Sequence, residues 1–524
     1  MNKKNLLYIF SIFLVSTCFT SCKETVKEKE VVPAKQPNIV YIMTDDHGYQ
    51  AISAYNGALN QTPNIDRIAN EGVKFTKSFV TNSICSPSRA VMLTGKFSHE
   101  NGQRINGLKF DGSQQTFPKL LRSAGYETAL IGKWHLGSDP TGFDYWNVLP
   151  GQGDYYNPDF NEMGEKSRKE GYVTSLITEY SLDWLKERDT TKPFALIMHH
   201  KAPHRCWMPE IKYLDKYNDV KFPIPDNFYD DYEGRTAAAT QKMHMKNFCP
   251  VNDLKMLDKE GEIDGPLRKY FEAQIARLTP EQRAAWDAAY AEEIAYYKEA
   301  KLTGKELLEW SYQRYLEDYL RCIDSVDDSV GEILDFLEEN GLDENTLVVY
   351  TSDQGFYLGE HGWFDKRFMY EESFRTPLLM KLPSKIKKGT VTQLVQNIDY
   401  APTFLDLAGV EIPSDMQGES LLPILDDNTD NDEWRKSVYY HYYEYPGPHA
   451  VKRHYGVRTD KHKLIHFYNN IDQWELYDLE ADPGEVDNLY GKEGYDEITQ
   501  TLYTELLDLQ KKYNDTTVVD VKLN

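Results

Sequence analysis

The stretch Asn38–Met43 reads NIVYIM and is followed at once by the polar run TDDHG, Thr44–Gly48. An uncharged run of this length, rich in β-branched and other apolar side chains, is typical of a strand with both faces buried. Such strands belong to parallel sheets that are covered by helices. The stretch therefore predicts an α/β fold in which one strand delivers two carboxylates, Asp45 and Asp46, at its carboxyl end.

Three further segments repeat this arrangement of a buried-type strand followed by polar residues. They are ETALI before GKWH, FALIM before HHKAPH and TLVVY before TSDQG, at Glu127–Ile131, Phe194–Met198 and Thr346–Tyr350. In open α/β sheets, ligands bind outside the carboxyl ends of the strands. Four strands that end in polar or charged residues therefore predict a functional site at one edge of the sheet.

The region from about residue 205 to about residue 340 is predicted to be a mainly helical insertion. The sequence TPEQ at Thr279–Gln282 is a helix start, with a capping threonine, proline at the first position and glutamine three residues after the cap. The helix is expected to continue over Ala284–Ala300, and one or two more are expected within Leu307–Leu337. The stretch Asp226–Gly265 has poor periodicity and predicts a loop. Two interpretations stay open, a role in substrate access and a purely structural role.

Beyond Asp399 the pattern changes to short strands separated by turns. The predicted strands are Val438–Tyr445, Tyr455–Arg458, Lys463–Phe467 and Trp474–Asp478. They predict a small antiparallel sheet with a closing helix near Ile498–Lys512. The predicted fold class is therefore α/β, with a large, mostly parallel central sheet flanked by helices and a smaller C-terminal α+β unit that contains an antiparallel sheet. We assign residues 37–425 to the first part and residues 426–524 to the second.

The composition restricts the partners. The chain of 524 residues has a formal net charge of −24 and an isoelectric point near 5.0. Such a surface disfavours nucleic acid and repels polyanions at long range. Salt limits that repulsion to roughly 8–10 Å, so a locally basic pocket can still bind an anion.

The first 22 residues predict an export signal that is not part of the fold. Lys3 and Lys4 precede an apolar run, Leu6–Val15, that is too short for a comfortable transmembrane helix. The sequence FTSC ending at Cys22 resembles a bacterial lipoprotein box, which implies lipidation of Cys22, and an ordinary signal peptide cleaved nearby is the alternative. Residues 23–36 predict a flexible tether. We expect an exported protein that is lipid-anchored at the outer membrane or cell surface, or otherwise periplasmic.

The motif that carries the chemistry is CSPSR at Cys85–Arg89, followed by AVMLTG at Ala90–Gly95. A lone cysteine is usually a small buried thiol. Here the whole run resembles the C-x-P-S-R-x-x-x-L-T-G signature of the formylglycine-dependent type I sulfatases of the alkaline phosphatase superfamily, in particular the bacterial polysaccharide sulfatases. The resemblance extends from about Pro37 to Tyr490 and implies the alkaline-phosphatase-like form of the predicted fold.

The resemblance assigns a nucleophile and the residues around it. It implies that a separate maturation enzyme oxidises Cys85 to formylglycine, and that a hydroxyl of the hydrated aldehyde attacks sulfur. It also implies that Arg89 and Lys133 hold the formylglycine hydroxyls. Of the other cysteines, Cys18 and Cys22 fall in the signal. The remaining three, an odd number that does not predict a disulfide framework, are Cys206, Cys249 and Cys322.

Three further residues match family positions that move protons or bind sulfate. His135 matches the histidine that helps to break down the covalent sulfated enzyme. His204, in APH, and Lys366, in DKRF, match the pair that binds sulfate and protonates the leaving alcohol. Each follows a predicted strand or a matched motif, which favours these roles over an ordinary structural one.

A metal site is predicted from the residues themselves. Asp45, Asp46, Asp353 and the amide oxygen of Gln354 form an all-oxygen set suited to a hard divalent cation, with calcium favoured when most ligands come from protein. The matching sulfatase residues bind calcium, which also contacts the residue at Cys85. Position 354 is Gln where many relatives have Asn.

The rest of the substrate is expected to be a sulfated oligosaccharide or polysaccharide, such as ulvan, carrageenan or a host glycosaminoglycan. The candidate substrate-binding residues are Tyr155, His361, Arg375 and His441. The predicted function is an exported sulfatase. Two alternatives are a phosphonate or phosphate ester hydrolase of the same fold and a noncatalytic glycan-binding lipoprotein.

Overall fold

The computed structural model describes residues 36–425, 433–517 and 523 of the chain. The predicted signal peptide, the lipidation site at Cys22 and all but the last residue of the predicted tether lie outside the described residues. The chain from Gln36 onward forms one compact unit. None of the described helices combines the length and the apolar character that a membrane span needs.

The described residues form sixteen strands, whose bounds follow in chain order. They are β1 Asn38–Thr44, β2 Val73–Phe75, β3 Ser78–Phe79, β4 Glu127–Lys133, β5 Tyr145–Leu149, β6 Asp159–Glu162, β7 Glu165–Arg168, β8 Phe194–His199, β9 Thr346–Ser352, β10 Leu378–Lys381, β11 Gly389–Val391, β12 Val395–Gln396, β13 Ser437–Tyr442, β14 His454–Thr459, β15 His462–Phe467 and β16 Gln473–Asp478.

Fourteen α-helices occur in the same part of the chain. They are α1 Pro63–Glu71, α2 Cys85–Thr94, α3 Ser98–Asn101, α4 Phe117–Ser123, α5 Val173–Glu187, α6 Thr236–Thr240, α7 Pro250–Asp253, α8 Arg268–Ile275, α9 Pro280–Ala300, α10 Gly304–Glu339, α11 Glu371–Phe374, α12 Tyr400–Leu407, α13 Leu422–Leu425 and α14 Asp496–Lys512.

The central sheet has ten strands in the order β11-β2-β10-β9-β1-β8-β4-β5-β6-β7. The four strands predicted from sequence, β9, β1, β8 and β4, are adjacent in it and mutually parallel. The antiparallel pairs lie to either side, formed by β10 with its neighbours and by the β5-β6-β7 meander. The predicted mostly parallel sheet is confirmed, and its four central strands end at the same edge.

Strand β1 shows how both faces of this sheet are covered. Val40 and Ile42 pack into one apolar cluster with residues of α1, α5 and α10, whereas Ile39, Tyr41 and Met43 pack into another with residues of α2, α4 and α12. All five side chains are almost completely inaccessible. Because successive side chains of a strand point to opposite faces, an uninterrupted apolar run is what a sheet between two helical layers requires.

The helical insertion is present, with two differences from expectation. The predicted one or two helices within Leu307–Leu337 are a single continuous helix, α10, whose side chains from Ser311 to Leu337 are mostly buried. The stretch Asp226–Gly265, predicted to be a loop, also contains α6 and α7. These helices have only four or five residues, which is too short to produce a helical period in the sequence.

Helix α9 begins with the predicted capping box. Thr279 Oγ1 accepts a hydrogen bond from the backbone N–H of Gln282 at 3.2 Å, and Gln282 Oε1 accepts one from the backbone N–H of Thr279 at 2.9 Å. Thr279→Ala is therefore expected to destabilise the first turn of α9 by about 1 kcal/mol. Hydrogen exchange of the first-turn amides should become roughly fivefold faster. Thr279→Ser should restore wild-type exchange, and an unchanged rate in the alanine variant would contradict the role of the cap.

The C-terminal part forms the predicted antiparallel sheet, in the order β13-β14-β15-β16. Apolar side chains of its strands, such as Val457 and Leu464, share a core cluster with Leu502, Leu506 and Leu509 of α14. The helix thus closes the sheet as expected, and the predicted fold class is confirmed. Strand β13 ends at Tyr442, three residues earlier than predicted.

Candidate active site

The carboxyl ends of the four central strands bring the predicted residues together. Asp45 and Asp46 follow β1, His135 follows β4, His204 follows β8, and Asp353 follows β9. Two sets of three residues have potential metal-ligand atoms within 4.8 Å of one another. One set is Asp45, Asp46 and Asp353, and the other is Asp45, Cys85 and His204. The sheet edge predicted from the strand pattern is therefore where the site lies.

Helix α2 places Cys85 and Arg89 on one face of the site. Cys85 is the first residue of the helix, and its thiol donates a hydrogen bond to Asp45 Oδ1 at 3.3 Å. Pro87 is tolerated because the amides of the first turn have no partner within a helix. Residues four apart lie on the same face, so Arg89 also points to the strand ends. All ten side chains of α2 are buried.

Burial has a chemical consequence for Cys85. The thiol is 1% exposed, and burial raises its pKa well above the usual range, more than the nearby Lys366 lowers it. The nucleophilic form of cysteine is the thiolate, which is therefore disfavoured here. Unmodified Cys85 is therefore poorly suited to attack a substrate. A nucleophile derived from Cys85 that does not need to become charged would avoid the cost of forming a buried thiolate.

Each of the three aspartates is paired with a cation. Arg89 donates from Nε to Asp353 Oδ2 at 3.0 Å and from Nη1 to the Lys133 carbonyl at 3.0 Å. The Lys133 ammonium contacts Asp45, and Lys366 Nζ donates to the two oxygens of Asp46 at 2.6 and 2.7 Å. The site is therefore a buried network of alternating charges, and loss of one partner would leave an uncompensated buried charge.

The pKa values of two carboxyl groups diverge within this network. Burial opposes ionisation of Asp353, but Arg89 and then Lys133 outweigh it, so the pKa of Asp353 is lowered. Burial raises the pKa of Asp46 to about 7, with Lys366 offsetting only part of the effect. Added positive charge close to Asp46 would favour its ionised form.

The oxygen atoms of this cluster fit a divalent cation. Asp45, Asp46 and Asp353 supply carboxylate oxygens within 4.8 Å of one another. Gln354 Oε1 is buried and has no hydrogen-bond partner among the described residues. An unsatisfied amide oxygen beside three carboxylates matches the all-oxygen ligand preference of calcium or magnesium. The four residues predicted as ligands could therefore hold such an ion.

The two histidines of the site differ in their partners. His204 Nδ1 lies 2.6 Å from the carbonyl of Arg205, which can only accept, so the proton is assigned to Nδ1 and leaves Nε2 facing Asp46 Oδ2 at 3.8 Å. His135 Nδ1 is buried without a partner among the described residues. Burial, then the charges of Lys133 and Arg89, lower the pKa of His135 to about 2. Both imidazoles are therefore neutral when no anion is bound.

The helical insertion holds the loop that carries His204. Arg205 donates from Nε and Nη2 to the two oxygens of Asp253, each at 2.7 Å, and Asp253 is completely buried at the end of α7. Because the Arg205 carbonyl fixes the ring of His204, this ion pair connects the insertion to the imidazole. The insertion therefore supports the position of His204, which is a structural role, one of the two interpretations that the sequence left open.

Asp253→Asn is expected to lower kcat by roughly tenfold to a hundredfold, because small displacements of a reacting group are costly. KM should change less, since the residue is not expected to contact the substrate. The control is Asp258→Asn, which alters another buried carboxylate of the insertion, paired with Arg268 at 3.3 Å but not connected to His204. Steady-state kinetics would measure kcat and KM of both variants, and thermal unfolding would measure their stability. Equal kcat values for the two variants would contradict the connection between Asp253 and His204.

The predicted substrate-binding residues have other partners. Tyr155 is buried, and its hydroxyl donates to the His204 carbonyl at 2.6 Å. His361 pairs with Asp230, His441 pairs with Asp515, and the Arg375 guanidinium lies 4.1 Å above the Tyr49 ring. In the described part of the chain, no polar side-chain contact joins these four side chains to those of the catalytic or metal residues. Their part in substrate binding stays a prediction.

Sequence reasoning overlooked the two neighbours of Lys366. Asp365 Oδ1 accepts from Arg367 Nε at 3.0 Å, and Asp365 Oδ2 lies 3.1 Å from His449 Nε2. Asp365 and Arg367 both have positive φ, at 76° and 106°, and both are nearly completely buried. This pair holds the turn that presents Lys366. The signal available in the sequence was the run of three charged residues, Asp365–Arg367, directly after two aromatic residues. Charged residues next to a buried segment are rarely buried unless they are paired.

Fold and site together define a hydrolase of the alkaline phosphatase superfamily. The family model named Sulfatase matches residues 37–410, and a model described as N-sulphoglucosamine sulphohydrolase, C-terminal, matches residues 359–512. The chain therefore belongs to the sulfatase family. The predicted family and the predicted class of enzyme, a sulfuric ester hydrolase, are both confirmed.

Several relatives resemble the chain over most of its length. It is 50% identical to an N-acetylglucosamine-6-O-sulfatase of Bacteroides thetaiotaomicron, over 96% of this chain and 90% of that protein. It is 26% identical to an ulvan-active sulfatase of Formosa agariphila, over 94% of this chain and 85% of that protein. A solved structure described as a complex with its substrate D-glucosamine-2-N,6-O-disulfate shares 51% identity and a TM-score of 0.89, covering 92% of this chain and 99% of that one.

Proposed function

We propose that the protein removes the 6-O-sulfate group from a sulfated glucosamine residue of a glycan. The observation that carries this proposal is the 50% identity, over 96% of the chain, to a relative named for that reaction. The solved structure with a glucosamine disulfate supports the same class of sugar. A pocket in which Arg89, Lys133 and Lys366 converge suits an anionic ester despite the acidic surface of the chain.

We infer further that the site is completed by formylglycine at position 85 and by calcium. Formylglycine would supply a hydrated aldehyde, whose hydroxyl group can attack sulfur. Calcium, held by Asp45, Asp46, Asp353 and Gln354, would supply positive charge next to the sulfate oxygens. The fit of the oxygen cluster supports the ion, and the motif that begins at Cys85 supports the modification.

The charged and titratable side chains around residue 85 have different proposed roles. Arg89, fixed by Asp353 and by the Lys133 carbonyl, directs its charge to the region of residue 85. Burial opposes the charge of Lys366, but the Asp46 carboxylate outweighs it and raises the pKa of Lys366. Lys366 therefore stays protonated and suits sulfate binding. His204 Nε2 faces the site, and the negative charge of a bound sulfate ester would favour its protonation, after which it suits delivery of a proton to the leaving sugar oxygen.

A hydrated formylglycine at position 85 would need a neighbouring group that can accept a proton from its hydroxyl. His135 is only half-buried, its pKa is lowered to about 2, and it is therefore neutral at physiological pH. The negative charge of a bound sulfate would raise the pKa of this imidazole, which could then accept a proton. These assignments are the roles that the family resemblance implies.

Sulfated algal polysaccharides such as ulvan or carrageenan form the second candidate substrate class. The ulvan-active relative, 26% identical, supports it less strongly than the relative named N-acetylglucosamine-6-O-sulfatase, 50% identical, supports the first.

We also propose that the protein is exported and anchored through a lipid on Cys22, as the N-terminal sequence predicts. Metabolic labelling with a fatty acid, with Cys22→Ala as the control, would test the anchor.

The function is tested by sulfate release from a panel of defined sugars. The protein is coexpressed with a formylglycine-generating enzyme and given 6-O-sulfated N-acetylglucosamine, its 2-N-sulfated analogue, sulfated ulvan and carrageenan oligosaccharides, and a matched phosphate ester. Release from the 6-O-sulfated glucosamines alone is the expected result. Preferential release from the algal sugars would move the assignment to the second class, and cleavage of the phosphate ester alone would refute both.

A further inference from the structure

A cleft of about 430 Å³ adjoins the site on the side of His135. Ser86 and His135 line it, and Ser86 Oγ donates to the His135 carbonyl at 2.6 Å. Ser86 follows the nucleophile position directly in the chain. Clefts of roughly 300–1,000 Å³ are the usual size of small-ligand sites, so this one has room for a sugar unit.

Polar atoms in this cleft lack partners. His135 Nδ1, Ser138 Oγ and Asn161 Oδ1 are buried, belong to residues that line the cleft, and have no hydrogen-bond partner among the described residues. Buried polar atoms are almost always satisfied, and exceptions need an explanation. A hydroxyl-rich ligand in the cleft could form hydrogen bonds with these three atoms. The indole of Trp134 also lies in the wall of the cleft.

The charge of the cleft differs from that of the chain. Lys109 and Lys166 line it, and neither makes a hydrogen bond or an ion pair within the described residues. Asp139 is the single acidic residue in the described lining. The cleft is therefore locally basic in a protein of net charge −24, and its two lysines are free to bind an anion. In contrast, Arg89, Lys133 and Lys366 are already engaged with aspartates.

We propose that this cleft binds the saccharide unit next to the sugar that is desulfated, and that Lys109 and Lys166 recognise an anionic group on that unit. The inference rests on the proposed function, because the sulfated sugar must occupy the adjoining site. The anion is a carboxylate of a hexuronate or a second sulfo group, and both would be recognised by the same two ammonium groups. The enzyme would thereby prefer an acidic glycan chain to an isolated sugar.

The test compares the double variant Lys109→Ala/Lys166→Ala with the wild type on four substrates. These are 6-O-sulfated N-acetylglucosamine alone and the same unit linked to a neutral hexose, to a hexuronate or to a sulfated hexose. We expect KM for one or both anionic disaccharides to rise about tenfold in the variant, while KM for the other two changes less than about twofold. The two anionic arms show which group the lysines bind.

The control removes the same charge elsewhere. Lys388 and Lys436 are exposed and outside the cleft, so Lys388→Ala/Lys436→Ala should leave all four KM values unchanged. A similar rise for neutral and anionic disaccharides, or no rise for either, overturns the inference.

A binding measurement separates this inference from the proposed function. The affinity of Cys85→Ala protein for the four sugars is measured by calorimetry, with and without the two lysine substitutions. If the parent enzyme releases no sulfate from any of them but the lysine substitutions still weaken binding of an anionic disaccharide about tenfold, the cleft assignment stands and the proposed reaction fails. If binding of the anionic disaccharides is unaffected, the cleft assignment fails whatever the activity.

Discussion

Cys85→Ala is expected to lower sulfate release by at least about 10⁴-fold, because loss of a covalent nucleophile leaves only the catalysis that binding and electrostatics provide. Wild-type protein made without a maturation enzyme should show the same loss although it retains the cysteine. The reason is the site itself, since burial raises the pKa of the thiol and keeps it neutral. Matured enzyme, unmatured enzyme and the alanine variant would be compared by sulfate release and by peptide mass.

Cys322→Ala is the matched control for loss of a buried thiol. Cys322 is completely buried in α10 and belongs to the core of the insertion, so its loss should affect stability and leave the chemical step intact. Wild-type activity in unmatured protein, with mass spectrometry confirming an intact cysteine, would exclude formylglycine as the nucleophile. Activity that persists in Cys85→Ala would exclude residue 85 altogether.

The sequence was sufficient for the central fold because four strands carried the same physical signal. NIVYIM at Asn38–Met43 must be buried on both faces, and this demands helices on both sides of a parallel sheet. The edge antiparallel strands were not predicted, since β6 and β7 are short and β7 is fully exposed. A strand with little burial has no periodic pattern that could reveal it.

The part of the site that sequence reasoning could reach is the part that follows strand ends. Asp45, His135 and Asp353 lie one to a few residues beyond a buried run, so their meeting is a consequence of parallel strands. The support of His204 is different. Asp253 lies 48 residues after Arg205, in a segment of very short helices, and no local pattern links the two. Contacts of that kind depend on how the insertion packs, which the local sequence does not determine.

The free lysines of the cleft also escaped prediction. Lys109 and Lys166 are ordinary surface residues by sequence, and a solvated face is the usual explanation of an isolated lysine. Their significance comes from what surrounds them, namely a cavity wall with unsatisfied polar atoms of Ser138 and Asn161. Whether the side chain of a lysine has a partner depends on the folded structure, so the local sequence could not reveal it.

The roles of Lys366 and His204 can be separated by changing the leaving group. Lys366→Met and His204→Gln are both expected to lower kcat/KM for a sugar sulfate by roughly 10²–10⁴-fold, because one removes a charge that stabilises the transition state and the other a proton donor. With 4-nitrophenyl sulfate, whose phenolate leaves without a proton, His204→Gln should recover most of the loss. Lys366→Met should not recover, since the raised pKa of Lys366 makes it a binding charge and a reluctant acid.

Lys255→Met controls for removal of a buried ammonium group, because Lys255 is completely buried and lies 3.4 Å from Asp318 in the insertion. This variant should lose stability but show no difference between the two leaving groups. Recovery of Lys366→Met on the aryl ester, with none for His204→Gln, would reverse the assignment and make the lysine the acid. The comparison depends on the ratio of kcat/KM values within each variant, so partial unfolding, which lowers both values equally, cannot imitate it.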